Sequence, residues 1–89
     1  MAIEEHLNIL REGVQEINKW QLRHQGKGLD LSGAKLDEYE LHDVNLSHAN
    51  FSNASLYRVK LASANLTGAN FSGAMLQEVL LSKADLSRA

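Results

Sequence analysis

Four histidines and eleven carboxylates are the side chains in this 89-residue sequence with evident reactive chemistry. His42 and His48 bracket Asp43, and such residues could hold a divalent metal if enough of them converged. His6 and His24 lie far upstream. Asp37 and Glu38 are adjacent carboxylates, the residue type used for general acid–base work. There is no cysteine, which removes thiolate ligation and disulfide bonding. The sequence shows no nucleophile–base arrangement, phosphate-cradling glycine loop or cofactor motif. Any chemistry would need a scaffold that brings distant polar groups to one point.

The scaffold is a repeat. From Leu29 onward, a large apolar residue recurs at every fifth position: Leu31, Leu36, Leu41, Leu46, Phe51, Leu56, Leu61, Leu66, Phe71, Leu76, Leu81 and Leu86. Two residues before each stands a second, mostly small apolar residue: Leu29, Ala34, Tyr39, Val44, Ala49, Ala54, Val59, Ala64, Ala69, Ala74, Val79 and Ala84. On a helix a period of five scatters the leucines round the cylinder. On a straight strand it alternates them between faces. The pattern works if the chain turns a corner once per repeat. The small residue and the Leu or Phe then both point inward, and four sides close a square coil. Phe51 lies twenty residues before Phe71, and Tyr39, Val59 and Val79 share one column. Twenty residues per coil gives about three coils, roughly 15 Å tall at the usual strand spacing. Ser32, Ser47, Ser52, Thr67, Ser72, Ser82 and Ser87 suit the corners, because short hydroxyls bond nearby backbone.

The stretches ANLTGANFSGA and KADLSRA resemble the A-(N/D)-L-x-x consensus of pentapeptide-repeat proteins. The resemblance covers Leu29 to Ala89. It implies an all-β solenoid, a right-handed quadrilateral β-helix with Leu and Phe along its axis. Lys35, Glu40, Lys60, Met75 and Leu80 depart from the usual Asn or Asp, and Tyr39 replaces a small residue.

Ahead of the repeat, residues 3 to about 24 read as one amphipathic α-helix. Ile3, Leu7, Leu10, Val14 and Ile17 make a single apolar stripe, continued by Trp20. Gly26 and Gly28 end the helix and start the coil. The open end of a solenoid needs covering, so the segment is expected to cap the first coil through Leu7, Leu10, Val14, Ile17 and Trp20. The domain division is residues 1–28 for helix and linker and 29–89 for the β-helix. LREGVQEINKWQ resembles the helix that precedes the repeats in some bacterial and cyanobacterial members. Basic Arg11, Lys19, Arg23 and Lys27 face an acidic first coil of Asp30, Asp37, Glu38, Glu40 and Asp43. Such exposed pairs contribute only about 0–1 kcal/mol each, so apolar burial should decide the docking.

On this scaffold the polar groups diverge. Side chains on different sides of a square point apart, and leucine fills the interior. No catalytic, cofactor-binding or metal-binding residue is assigned, and neither a cofactor nor a small-molecule substrate is expected. The unusual outward residues are Tyr57, Met75 and Leu80, which stand where short polar groups are the rule. An exposed apolar cluster can mark a contact surface. No apolar run approaches the roughly 20 residues of a membrane-spanning helix, and the N-terminus carries Glu4 and Glu5 rather than a secretory pattern. A cytoplasmic location is the resulting expectation. Net charge is −2, which favours neither a nucleic-acid partner nor an acidic tail.

The function expected is that of a non-catalytic structural or protein-interaction module, either by itself or as a fragment of a longer protein. The resemblance suggests an alternative, a DNA mimic that protects a topoisomerase, for which this rod is short and nearly neutral. The repeat stops without a cover at Ala89. Family members pair through their C-terminal ends, so a protein partner or a second copy is expected there, with a two-fold dimer favoured.

Overall fold

The computed structural model describes residues 2–89. Two helices precede the repeat, α1 (Glu4–Glu12) and α2 (Val14–Arg23). The single helix expected over residues 3–24 is thus corrected to a pair. The break is at Gly13, with φ 105° and ψ 177°. That conformation is reserved for glycine, and a Cβ there would meet nothing within 4 Å. The constraint is therefore backbone geometry, not crowding. The bend lets α1 and α2 fold against each other while both face the coil. Leu10 of α1 and Ile17 of α2 are fully buried, and Leu7, Val14 and Trp20 are half-buried against the same core.

From Asp30 onward, parallel bridges join residues twenty apart: Asp30 to Asn50 to Asn70, Lys35 to Ser55 to Met75, Glu40 to Lys60 to Leu80, and Asn45 to Asn65 to Asp85. The four columns are the sides of a square solenoid. Residues 30–49, 50–69 and 70–89 form successive levels. The bridges are isolated rather than part of extended strands. The reason is the corner, which interrupts each side after a few residues.

The corners share one construction. The N–H of Ala34 donates to the Leu31 carbonyl, and Gly33 between them has φ 69°. Positive φ at the third residue of a four-residue turn is the type II pattern, which favours Gly or Asn. Gly68, Gly73 and Asn53 fit it. Glu38, Asp43, His48, Arg58, Ser63, Glu78, Lys83 and Arg88 adopt the same left-handed φ near 60° despite their side chains, at a cost of roughly 1–2 kcal/mol each. In the first two levels the stack over-determines the turn, because each corner N–H donates to the level above, as Gly33 N does to Ser52 O.

Inside, Leu31, Leu36, Leu41, Leu46, Phe51, Leu56, Leu61 and Leu66 are buried to 1% exposure or less. Phe51 and Phe71 stack with centroids 4.9 Å apart and planes 5° apart. Phe71 and Leu81 are only half-buried, and Leu76 and Leu86 are exposed. The first level is sealed by the helices, whereas the last has no described residue above it.

Candidate interaction surface

Two ends of the solenoid use the same backbone edge differently. Within the stack, each side sends two N–H groups upward and one carbonyl. Leu31 N and Gly33 N donate to Asn50 O and Ser52 O, while Leu29 O accepts from Asn50 N. The downward edge of each side therefore offers one N–H and two carbonyls.

At the N-terminal end, the helices complete that edge on two of the four sides. His6 Nδ1 accepts from Asp30 N at 2.8 Å, so this nitrogen carries no proton. Ile3 N donates to Asp30 O at 3.1 Å. Asn18 Oδ1 accepts from Asn45 N at 2.7 Å. Gln21 Nε2 donates to both Asn45 O and Ser47 O at 3.1 Å. These groups substitute for a missing lower coil. Trp20 braces them, with His24 stacked on it at 4.2 Å and His6 edge-on at 5.1 Å. The His24 Nδ1–H donates to the Trp20 carbonyl at 2.8 Å. Apolar burial and polar completion therefore hold the cap together. Sequence reasoning identified the apolar half only. His6, Asn18 and Gln21 lie one helical turn from Leu10, Val14 and Ile17, so polar residues interrupting an apolar stripe were the available signal.

Asx turns line the columns. Asn45 accepts from the N–H and hydroxyl of Ser47, Asn65 from those of Thr67, and Asp85 from those of Ser87. The Ser32 hydroxyl and N–H likewise bond Asp30, and the hydroxyl does most to hold its carboxyl below the ordinary aspartate value, against the opposing effect of burial. The Ser87 hydroxyl does the same for Asp85. These carboxylates are engaged in turns rather than arranged for proton transfer. Among the described residues, no three His, Asp or Glu side chains cluster as a metal site.

At the C-terminal end, Met75 is 57% exposed and Leu80 51%, with Leu76 at 40% and Leu86 at 42%. Leu61, Phe71, Leu76, Val79, Leu81, Leu86 and Ala89 line a cavity of about 340 Å³. Met75 and Leu80 stand on adjacent sides of the last level. Tyr57 lies apart from them. It is half-buried one level lower, its N–H donates to Asp37 Oδ1, and the Arg58 guanidinium lies 4.9 Å from its ring centroid. Arg58 in turn bonds Glu78 at 3.1 Å.

Comparison with known proteins agrees with this geometry. The family model described as pentapeptide repeats matches residues 27–62 and 54–89, with 8 copies. A crystal structure of a pentapeptide repeat protein from the cyanobacterium Cyanothece 51142 is 38% identical, with a TM-score of 0.62 over 63% of this chain. The match spans 38% of that longer protein. No curated protein sequence matches significantly. With repeat-model matches running from residue 27 to residue 89, and a β-helical solenoid of the same kind among solved structures, the chain belongs to the pentapeptide-repeat family.

Proposed function

We propose that the chain is a non-catalytic protein-interaction module. It is a short right-handed quadrilateral β-helix of about three coils, helically capped at one end. Its other end presents an apolar level to be covered by a protein partner, a second copy of the chain, or further coils of a longer protein. The observation carrying this reading is the uncovered last level, where Leu76 and Leu86 of the axial column are 40% and 42% exposed while their equivalents Leu56 and Leu66 are fully buried. Exposed apolar surface joined to an open backbone edge favours association. In this reading the protein is cytoplasmic and takes no cofactor or substrate. No helix of the described residues is long and apolar enough to cross a membrane.

Hydrogen exchange combined with light scattering tests the proposal. In the free chain, the amides of Phe71, Leu76, Leu81 and Leu86 should exchange much faster than those of Phe51, Leu56, Leu61 and Leu66. Covering the end should slow them. A stable monomer whose last-level amides are already as slow as the middle ones needs no cover, and that result would overturn the reading.

A further inference from the structure

The cap closes the lower edge of the first level with two side-chain acceptors of unlike chemistry. Inside the stack, the equivalent N–H groups of Asn50 and Asn70 donate to the carbonyls of Leu29 and Ala49, which take up no proton near neutral pH. On the Asn45 side, Asn18 Oδ1 substitutes for that carbonyl, and an amide oxygen is equally inert. On the Asp30 side the substitute is His6 Nδ1, at 2.8 Å. An imidazole nitrogen accepts a hydrogen bond only while it is unprotonated. The lower edge therefore carries one acceptor that acid removes beside one that acid leaves alone.

The surroundings of His6 offer its imidazolium no equivalent seat. Once protonated, Nδ1–H would point at the Asp30 N–H, donor against donor. His6 also stands in the first turn of α1, where the helix dipole disfavours positive charge. Charged groups of three elements bear on it. From the first level, the Asp30 carboxylate favours the cation, but its Oδ1 already accepts from the Ser32 hydroxyl and N–H. From α2, His24 stacks on the Trp20 ring that His6 meets edge-on, and its own protonation adds positive charge to the cluster. On α1 itself, Glu5 is exposed and Glu4 is held by Arg11. Among the described residues, no carboxylate is paired with a His6 nitrogen. His24 is different, because its Nδ1–H donates to the Trp20 carbonyl, a bond that survives when Nε2 takes up a proton.

We propose that α1 is a proton-released flap, hinged at Gly13 and latched by the neutral imidazole of His6, while α2 stays docked. Gly13 separates the helices at φ 105°, so α1 can swing without unwinding α2. α2 keeps Asn18 and Gln21 on the Asn45 side, and neither titrates. α1 loses with His6 the side-chain hydrogen bond that ties it to the solenoid. The latch is complete above the ordinary histidine value near 6.5 and weakens as pH falls below it, because release takes up one proton. The opening equilibrium then rises by up to about tenfold per pH unit. The device is independent of what covers the far end of the rod.

Amide hydrogen exchange by NMR, corrected for its intrinsic pH dependence, tests this on the full chain. Between about pH 7.5 and about pH 5.5, protection of Asp30 and of Leu7 to Glu12 should fall about tenfold, and that of Ile17 to Gln21 by less than about twofold. In long-range proton–nitrogen spectra, His6 should be the Nε2–H tautomer at the higher pH and become imidazolium as the Asp30 amide loses protection. His6→Asn keeps an acceptor at the same place, as Asn18 does on the adjacent side, and should abolish the acid response. His24→Asn keeps a donor for the Trp20 carbonyl and should leave the response intact. The latch is refuted if α1 keeps its protection at the lower pH, if α1 and α2 lose it together, or if His6→Asn responds like wild type. Should His6→Asn not fold, the wild-type spectra decide. An Nδ1–H tautomer at the higher pH, or an imidazolium formed while Asp30 stays protected, overturns the proposal equally.

Discussion

Phe51 and Phe71 are the same residue in the same column with different surroundings. Phe51 is fully buried between levels, while Phe71 covers it from above and is itself half-open. Truncation to Ala removes apolar contact and leaves a void, at about 3–5 kcal/mol for a buried Phe. Phe51→Ala should approach that range in denaturant titrations, and Phe71→Ala should cost clearly less. Equal losses would mean that the last level is as well covered as the middle one. Asp30 and Asp85 make a second residue-scale statement. Their carboxyls ionise more readily in the folded chain than in the unfolded one. The stability they contribute is complete above the ordinary aspartate value near 3.9 and fades as pH falls through their lower folded values. Asp85→Asn keeps the turn, as Asn65 does one level below, but removes the titration. Thermal melts of this variant should lose part of the wild-type decline on the acid side. An unchanged acid limb would show that the Ser87 bonds carry no ionic preference.

The helical cap is an element whose polar contacts matter as much as its apolar stripe. Gln21 is 4% exposed and bonds two carbonyls of the first level. Gln21→Leu preserves bulk but orphans Asn45 O and Ser47 O. A buried group left without a partner costs about 1–3 kcal/mol. The variant should melt earlier and lose protection first in α2 and the Asn45 side, by hydrogen exchange. Stability equal to wild type would mean that water reaches those carbonyls freely. The stripe itself was legible, because Leu10 and Ile17 repeat at helical spacing. The break at Gly13 was not, since an isolated glycine within a helical pattern is often tolerated. Its φ of 105° is imposed by docking both helices on one square face. Gly28 has a different reason to be glycine. A Cβ there would collide with the His48 carbonyl, because the linker passes directly beneath that corner of the first level.

At the scale of the molecule, the five-residue period made the square coil readable, because side chains alone report which positions face inward. The stacking interval was readable from Phe51 over Phe71. What side chains do not report is the direction of each peptide group, so the inequality of the two ends was invisible in the sequence.

That inequality has an electrical consequence. In ordinary sheets, neighbouring peptide dipoles largely cancel. Here each side of each level aligns two peptide units along the axis against one opposed, as Leu31 N, Gly33 N and Leu29 O show. The surplus is one unit per side, each about 3.5 D, and it adds from level to level instead of cancelling. The solenoid is therefore a polar rod with its positive pole at the open end, and longer rods of this construction carry proportionally larger moments. Side-chain charge reinforces it at one pole only: Asp30, Asp37, Glu38, Glu40 and Asp43 outnumber Lys35 at the negative pole, while Lys83 and Arg88 are balanced by Glu78 and Asp85 at the positive one. An approaching partner would feel that field before any contact forms, and would be turned by it to meet the rod end-on.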